Sequence, residues 1–133
     1  VIGFKLGTTL MEGKKANRAF ILLDKSGNVS ELREKLNIEK AYYSKSELEN
    51  QYVSVNLFLL QPDVLMSILG DLSSFKKKNK ENFTTEAMLP SFLNLQIKTG
   101  QMQLHLLKTN GQWNGVTYKD DVKEVKGQLS ASI

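Results

Sequence analysis

Few residues in this chain are able to do chemistry, and their types narrow what that chemistry could be. There is one histidine, His105, and no cysteine. Without cysteine there is no thiol nucleophile, disulfide, iron–sulfur cluster or Cys-ligated zinc. A single His excludes a His pair on a metal. His105 lies in Gln103-Leu104-His105-Leu106-Leu107, an alternation that favours the polar face of a strand over a catalytic base. The pair Asp120-Asp121 could bind a metal, since carboxylates suit Mg²⁺. The favoured reading is an acidic first turn of a helix, which complements the helix dipole. No metal ligand is assigned on this basis. The densest charge run, Lys76-Lys77-Lys78-Asn79-Lys80, offers a polyanion patch or, as the favoured reading, a solvated loop. No G-x-G-x-x-G or G-x-x-x-x-G-K-[ST] cradles a phosphate, no G-x-S-x-G is present, and no second His completes a triad.

The elements that would position such residues must come from one domain's worth of chain, 133 residues. A chain of this length hides roughly two-thirds of its unfolded surface, enough for a real core. Hydrophobic residues make up 41% and charged residues 24%, which excludes disorder as the main state. The net charge is +4, but only two of 18 basic residues, Arg18 and Arg33, are arginine. The guanidinium fork is the usual reader of guanine and a frequent partner of phosphate, so a nucleic-acid partner is not expected. No apolar run approaches the ~20 residues needed to cross a bilayer, and Val1-Ile2-Gly3-Phe4-Lys5 lacks signal-peptide order. A cytoplasmic location is expected, and the missing initiator Met leads to the expectation of a piece cut from a longer chain.

Residues 16–35 read as a β-hairpin: Arg18 to Asp24 is an apolar strand, Lys25-Ser26-Gly27-Asn28 a turn, and Val29 to Arg33 resumes the alternation. Residues 36–51 read as a loop or short helix. Tyr52 to Leu60 reads as a strand covered on both faces. Pro62 suits a first helical turn, and Val64, Leu65, Ile68, Leu69 and Leu72 continue at helical spacing, predicting a helix over 62–75. A further helix is expected from an N-cap at Thr84 to Ile97, with Pro90 inside it and Gly100 as its C-terminal cap. Gln101 to Leu107 reads as a strand, Asn110-Gly111 as a turn, and residues 118–129 as a last helix. The expected class is α/β, a mixed sheet with a β-hairpin and flanking helices.

The C-terminal third carries a recognisable order of motifs. Glu86-Ala87-Met88-Leu89-Pro90 is followed by a helix, a strand and Trp113-Asn114-Gly115-Val116-Thr117-Tyr118-Lys119-Asp120-Asp121. Further forward, Tyr52 to Leu65 carries a central Asn and then a proline-acid step, and Leu23-Asp24-Lys25-Ser26-Gly27-Asn28-Val29 precedes Glu34-Lys35. This order resembles the second half of the Rossmann-like domain of the sugar-1-phosphate nucleotidyltransferases and spans nearly the whole chain.

The resemblance implies a pocket for a sugar-1-phosphate. Lys35 would contact the phosphate and Glu34 the sugar hydroxyls. Asn56, or Ser54 two positions earlier, would contact the sugar, and Arg18 would lie near a sugar-side turn, with Ala19 where many members have Gly. Surface charge is the alternative reading for Glu34 and Lys35, and a structural network the alternative for Asn56. Gly115 stands where many members place a metal-binding Asp. The intact enzyme is expected to use Mg²⁺, and no metal ligand is expected in this half. The family's Gly-rich nucleotide loop is absent, so the missing nucleotide-binding half is an expected partner and the fragment alone is expected to be inactive. Half of such a sheet would expose an edge strand, which leads to the expectation of a homodimer through that edge. The alternative to all of this is a non-catalytic α/β ligand-binding or interaction module.

Overall fold

The computed structural model of the chain describes residues 1–82, 84–116 and 121–130, the side chains of residues 123, 124, 128 and 129 excepted. The fold is α/β, with a five-stranded mixed sheet and, among the described residues, four α-helices. The strands are β1 (Ile2–Lys5), β2 (Ala16–Leu23), β3 (Val29–Ile38), β4 (Tyr52–Ser54) and β5 (Leu107–Thr109), in the spatial order β3-β2-β4-β1-β5. β1 and β5 run parallel, and the other neighbours are antiparallel. The helices are α1 (Lys45–Asn50), α2 (Pro62–Lys78), α3 (Leu89–Lys98) and α4 (Asp121–Ser130).

The β2–β3 hairpin forms as expected, except that β3 runs on to Ile38 where a loop or short helix is expected from residue 36. Gly27 sits at φ +84, a conformation open to Gly at little cost. The Asp24 carboxylate accepts from the Ser26 and Asn28 amides at 2.8 and 2.9 Å, closing the turn. Because side chains alternate across a strand, the hairpin feeds a core on each face of the sheet. Ala19, Ile21, Val29 and Leu32 pack with Ile68 of α2 and Leu93 of α3. Phe20, Ile38 and Val53 pack on the other face with Leu6 and Leu10, and Leu48 of α1 leans against them. α1 is a single short helix started by a capping box, Ser44 exchanging bonds with Glu47.

Several elements differ from their sequence reading. The strand expected over 52–60 ends at Ser54, because Asn56 takes a left-handed φ of +62 and its amide donates to Ser54 Oγ at 3.0 Å. Asn tolerates this region where a branched residue would not, and Leu57 and Leu59 are left exposed rather than covered. The helix expected from Thr84 begins at Leu89, with Pro90 in its first turn. Proline favours extended backbone before it and is tolerated in a first turn, so residues 84–88 stay outside the helix. The strand expected over 101–107 shrinks to a bridge between Leu104 and Val29 and then β5. Lys76, Lys77 and Lys78 form the last turn of α2 instead of a loop, where cations favour the helix dipole. Gly100, at φ +70, follows α3 as anticipated. The expected start of the last helix at Tyr118, and Asp120, lie outside the described residues.

At the outer edge of the sheet, an amide of α3 stands in for a missing strand. The Leu32 N–H donates to Asn94 Oδ1 and the Leu32 carbonyl accepts from Asn94 Nδ2, both at 2.8 Å. This pair ties α3 to β3 and fills one step of the open ladder. Removing it with Asn94→Ala leaves two half-buried backbone groups without partners and is expected to cost about 1–3 kcal/mol in urea denaturation, with the α/β circular dichroism spectrum retained.

Candidate functional site

Register places the central residues of the candidate site. Ala19 pairs with Glu34 on one side and with Ser54 on the other. Directly opposed residues project to the same face of a sheet, so Glu34, Ala19 and Ser54 make one row across β3, β2 and β4. Ala19 is small and, like Ser54, almost wholly buried, so the middle of the row lies at the covered end of the site. A cavity of about 1240 Å³ opens there, lined by Arg18, Ala19, Glu34, Ser54 and Asn56.

The irregular segments build the walls. Val55 and Asn56 line the cavity where β4 stops, and Glu86 to Pro90 line it where α3 has not yet begun. Trp113, Asn114, Gly115 and Val116 form another wall. Trp113 is fixed by an edge contact with Phe4, ring centres 5.9 Å apart, and by its amide donating to the Thr8 carbonyl. A Cβ added at Gly115 would lie 3.0 Å from the Trp113 indole nitrogen. Glycine at 115 therefore gives the indole close room in the wall, and a Cβ there would require the ring to give by a few tenths of an ångström. Lys14, Lys15 and Arg18 give the cavity a basic side. Lys14 donates to Asp121 Oδ1 at 2.8 Å, anchoring the buried start of α4 to the loop before β2.

Four of the five residues singled out from sequence, Arg18, Glu34, Ser54 and Asn56, thus meet in one cavity. Lys35 is not among its lining residues. Its ammonium lies 4.1 Å from the centre of the Phe20 ring and 5.5 Å from that of Tyr43, on the sheet face away from the row. The pleat requires this, since Glu34 and Lys35 are consecutive in a strand. Arg18 pairs directly with Lys35, and the register shift just before it comes from an extra residue in β3, where Asn37 takes a left-handed φ of +55. The Arg18 guanidinium donates to the Thr9 carbonyl at 2.6 Å and to the Asn17 carbonyl at 2.7 Å, which holds it at the cavity.

The cavity is partly shielded from water, and its charges register this. Burial lifts the Glu34 carboxyl above the ordinary glutamate range, and the Arg18 guanidinium offsets part of the rise. Burial also lowers the Arg18 guanidinium, with Glu34 opposing. Trp113, Asn114 and Glu86 stood within motifs without an assigned role, and the Lys14–Asp121 pair joins residues too far apart for any local spacing to signal it. Among the described residues no group of three His, Cys, Asp or Glu side chains gathers as a metal site, and Asp121 is committed to Lys14. No family model and no curated protein sequence matches the chain.

Two outcomes follow from this geometry. A carboxyl whose native pKa is raised contributes stability that is present below the ordinary glutamate pKa of about 4.3 and is lost as pH rises through the native value. The stability of the parent chain relative to Glu34→Gln is therefore expected to fall as pH rises above about 4.3, read by urea denaturation at each pH. At position 56, Asn56→Gly keeps the left-handed backbone and is expected to leave stability nearly unchanged, whereas Asn56→Val is expected to cost about 1–2 kcal/mol by the same measurement.

Proposed function

We propose that this chain supplies the sugar-1-phosphate pocket of a nucleotidyltransferase, working with a nucleotide-binding half that these residues do not contain. The observation that supports the reading is convergence. Arg18, Glu34, Ser54 and Asn56 line the same cavity as Trp113-Asn114-Gly115 and Glu86 to Pro90, the separate segments on which the family resemblance rests. The cavity's volume, about 1240 Å³, slightly exceeds the usual small-ligand range of roughly 300–1,000 Å³. A sugar phosphate would leave room for part of a second substrate.

The lining suits such a ligand. Glu34 is an acceptor for sugar hydroxyls, with Ser54 and Asn56 at the opposite end of the row to exchange further hydrogen bonds. The Trp113 ring offers an apolar surface to the C–H face of a sugar. Lys15 and Arg18 provide positive charge for the phosphate in place of Lys35, while Lys14 is paired with Asp121. In the reaction, a phosphate oxygen of the sugar-1-phosphate attacks the α-phosphorus of a nucleoside triphosphate. A new P–O bond forms, the bond to the β-phosphate bridging oxygen breaks, and pyrophosphate leaves. This chain would hold the nucleophile in place and offset its charge, which is most of what a protein contributes to phosphoryl-type transfer. Mg²⁺, implied for the intact enzyme, finds no matching carboxylate set among the described residues, so no step is assigned to it here. The absence of cysteine accords with a cytoplasmic setting for this chemistry. Among the described residues, no helix is long and apolar enough to cross a membrane.

Trp113 is the only tryptophan and reports on the cavity directly. Titration with α-D-glucose 1-phosphate and its galactose, mannose and N-acetylglucosamine counterparts, followed by tryptophan emission and calorimetry, is expected to give saturable binding of at least one. Glu34→Gln is expected to weaken that binding about tenfold through lost charge-assisted hydrogen bonds. Absence of saturable binding by all four, or pyrophosphate release from a nucleoside triphosphate by the 133 residues alone, would contradict the proposal.

A further inference from the structure

α2 has two differently built sides. Val64, Ile68, Leu72 and Phe75 face inward, with Ile68 buried in the core and Phe75 edge-on to Phe92 of α3 at 6.0 Å. Asp71, next to this side, accepts from the Gln96 side-chain amide at 2.9 Å. The opposite side carries Asp63, Met66, Gly70, Ser73 and Lys77, spaced 3, 4, 3 and 4 residues apart, the spacing of a helix–helix seam. Met66 is 67% exposed, and Leu65 and Leu69 beside it are 48% and 45% exposed. Met66 on this side, with Leu65 and Leu69 on the flank between it and the core side, leaves exposed apolar surface along the helix.

The seam is symmetric about Gly70. Asp63 stands seven residues before it and Lys77 seven after, about 10.5 Å along the axis in each direction. Among the described residues a Cβ added at Gly70 would touch nothing within 4 Å, so none of them accounts for a glycine that costs about 1 kcal/mol relative to Ala in a helix interior. Asp63 and Lys77 are in no ion pair among the described residues. We infer that the outer face of α2 is a self-complementary surface, pairing antiparallel with α2 of a second copy of this chain and crossing at Gly70.

In that arrangement Asp63 of each copy meets Lys77 of the other, Met66 of each covers Gly70 and Ser73 of the other, and the two Leu69 side chains close the contact. The absent Cβ at Gly70 lets the backbones approach. A parallel pairing would set Asp63 against Asp63 and Lys77 against Lys77 and is disfavoured by charge. The interface is isologous, as expected of a two-fold dimer. Two helices bury less than a standard interface of roughly 1,600 Å², so the association is weak and requires concentrations up to about 500 μM to observe.

Sedimentation velocity over that range tests the inference. The parent chain is expected to associate reversibly. Asp63→Lys and Lys77→Asp each turn two attractions into two repulsions and are expected to weaken self-association about tenfold. Mixed in equal amounts, the two variants are expected to recover the parent's association, because the mixed pair restores opposite charges at both contacts. Gly70→Arg, with its long side chain at the crossing point and open space around it in the monomer, is expected to abolish association while circular dichroism keeps the parent spectrum. A parent chain that stays monomeric would overturn the inference. So would association indifferent to all three variants, the behaviour of a dimer through a sheet edge, or a mixture that fails to recover.

Discussion

The candidate site depends on one constraint, the register in which β2 lies between β3 and β4. Ala19 opposes Glu34 and Ser54, and the pleat sends all three to the same side. A slip of one residue would turn Glu34 into the opposite core and bring Lys35 to the cavity. The register is held from both faces, by Phe20 and Val53 packed below and by Ile21 and Leu32 packed beneath α2 and α3. The Asp24–Gly27 turn fixes one end of the hairpin, and the Asn94 amide braces its outer edge. The sheet thus delivers a carboxylate and a hydroxyl to a fixed separation across a small residue, and packing rather than ligand contact determines where they stand.

Around this row, regular structure gives way wherever the cavity needs a wall. β4 stops at Ser54 because Asn56 turns left-handed, and α3 starts late at Leu89. Each departure lengthens a loop that then lines the cavity. Rigid strands setting the floor and irregular segments supplying the specific contacts is the usual division of labour in binding sites.

What could be read from sequence follows the same division. The hairpin was legible because its signals are local: apolar alternation, an Asp able to close a turn, and Gly27. The inner face of α2 was legible because Val64, Ile68 and Leu72 repeat at helical spacing. The run from Tyr52 to Leu60 misled because an apolar stretch does not say whether it is covered, and one tolerant Asn suffices to end it. Thr84 resembles an N-cap, but the restriction that Pro90 imposes on the backbone before it outweighs that local signal. Lys35 shows a signal that was available. Consecutive strand residues face opposite ways, so Glu34 and Lys35 could not both line one cavity. The Lys14–Asp121 pair was not legible, because it depends on how the two ends of the fold come together.

The central claim is that the Glu34–Ala19–Ser54 row is the floor of a sugar-phosphate pocket. Backbone amide chemical-shift mapping of the ¹⁵N-labelled chain during titration with α-D-glucose 1-phosphate tests it most directly. The largest shifts are expected at Ala19, Glu34, Ser54 and Asn56 and along Trp113 to Gly115, with little change at Phe20, Tyr43 and Leu48 on the opposite face. Shifts confined to that opposite face, or none along the row at saturating ligand, would contradict it.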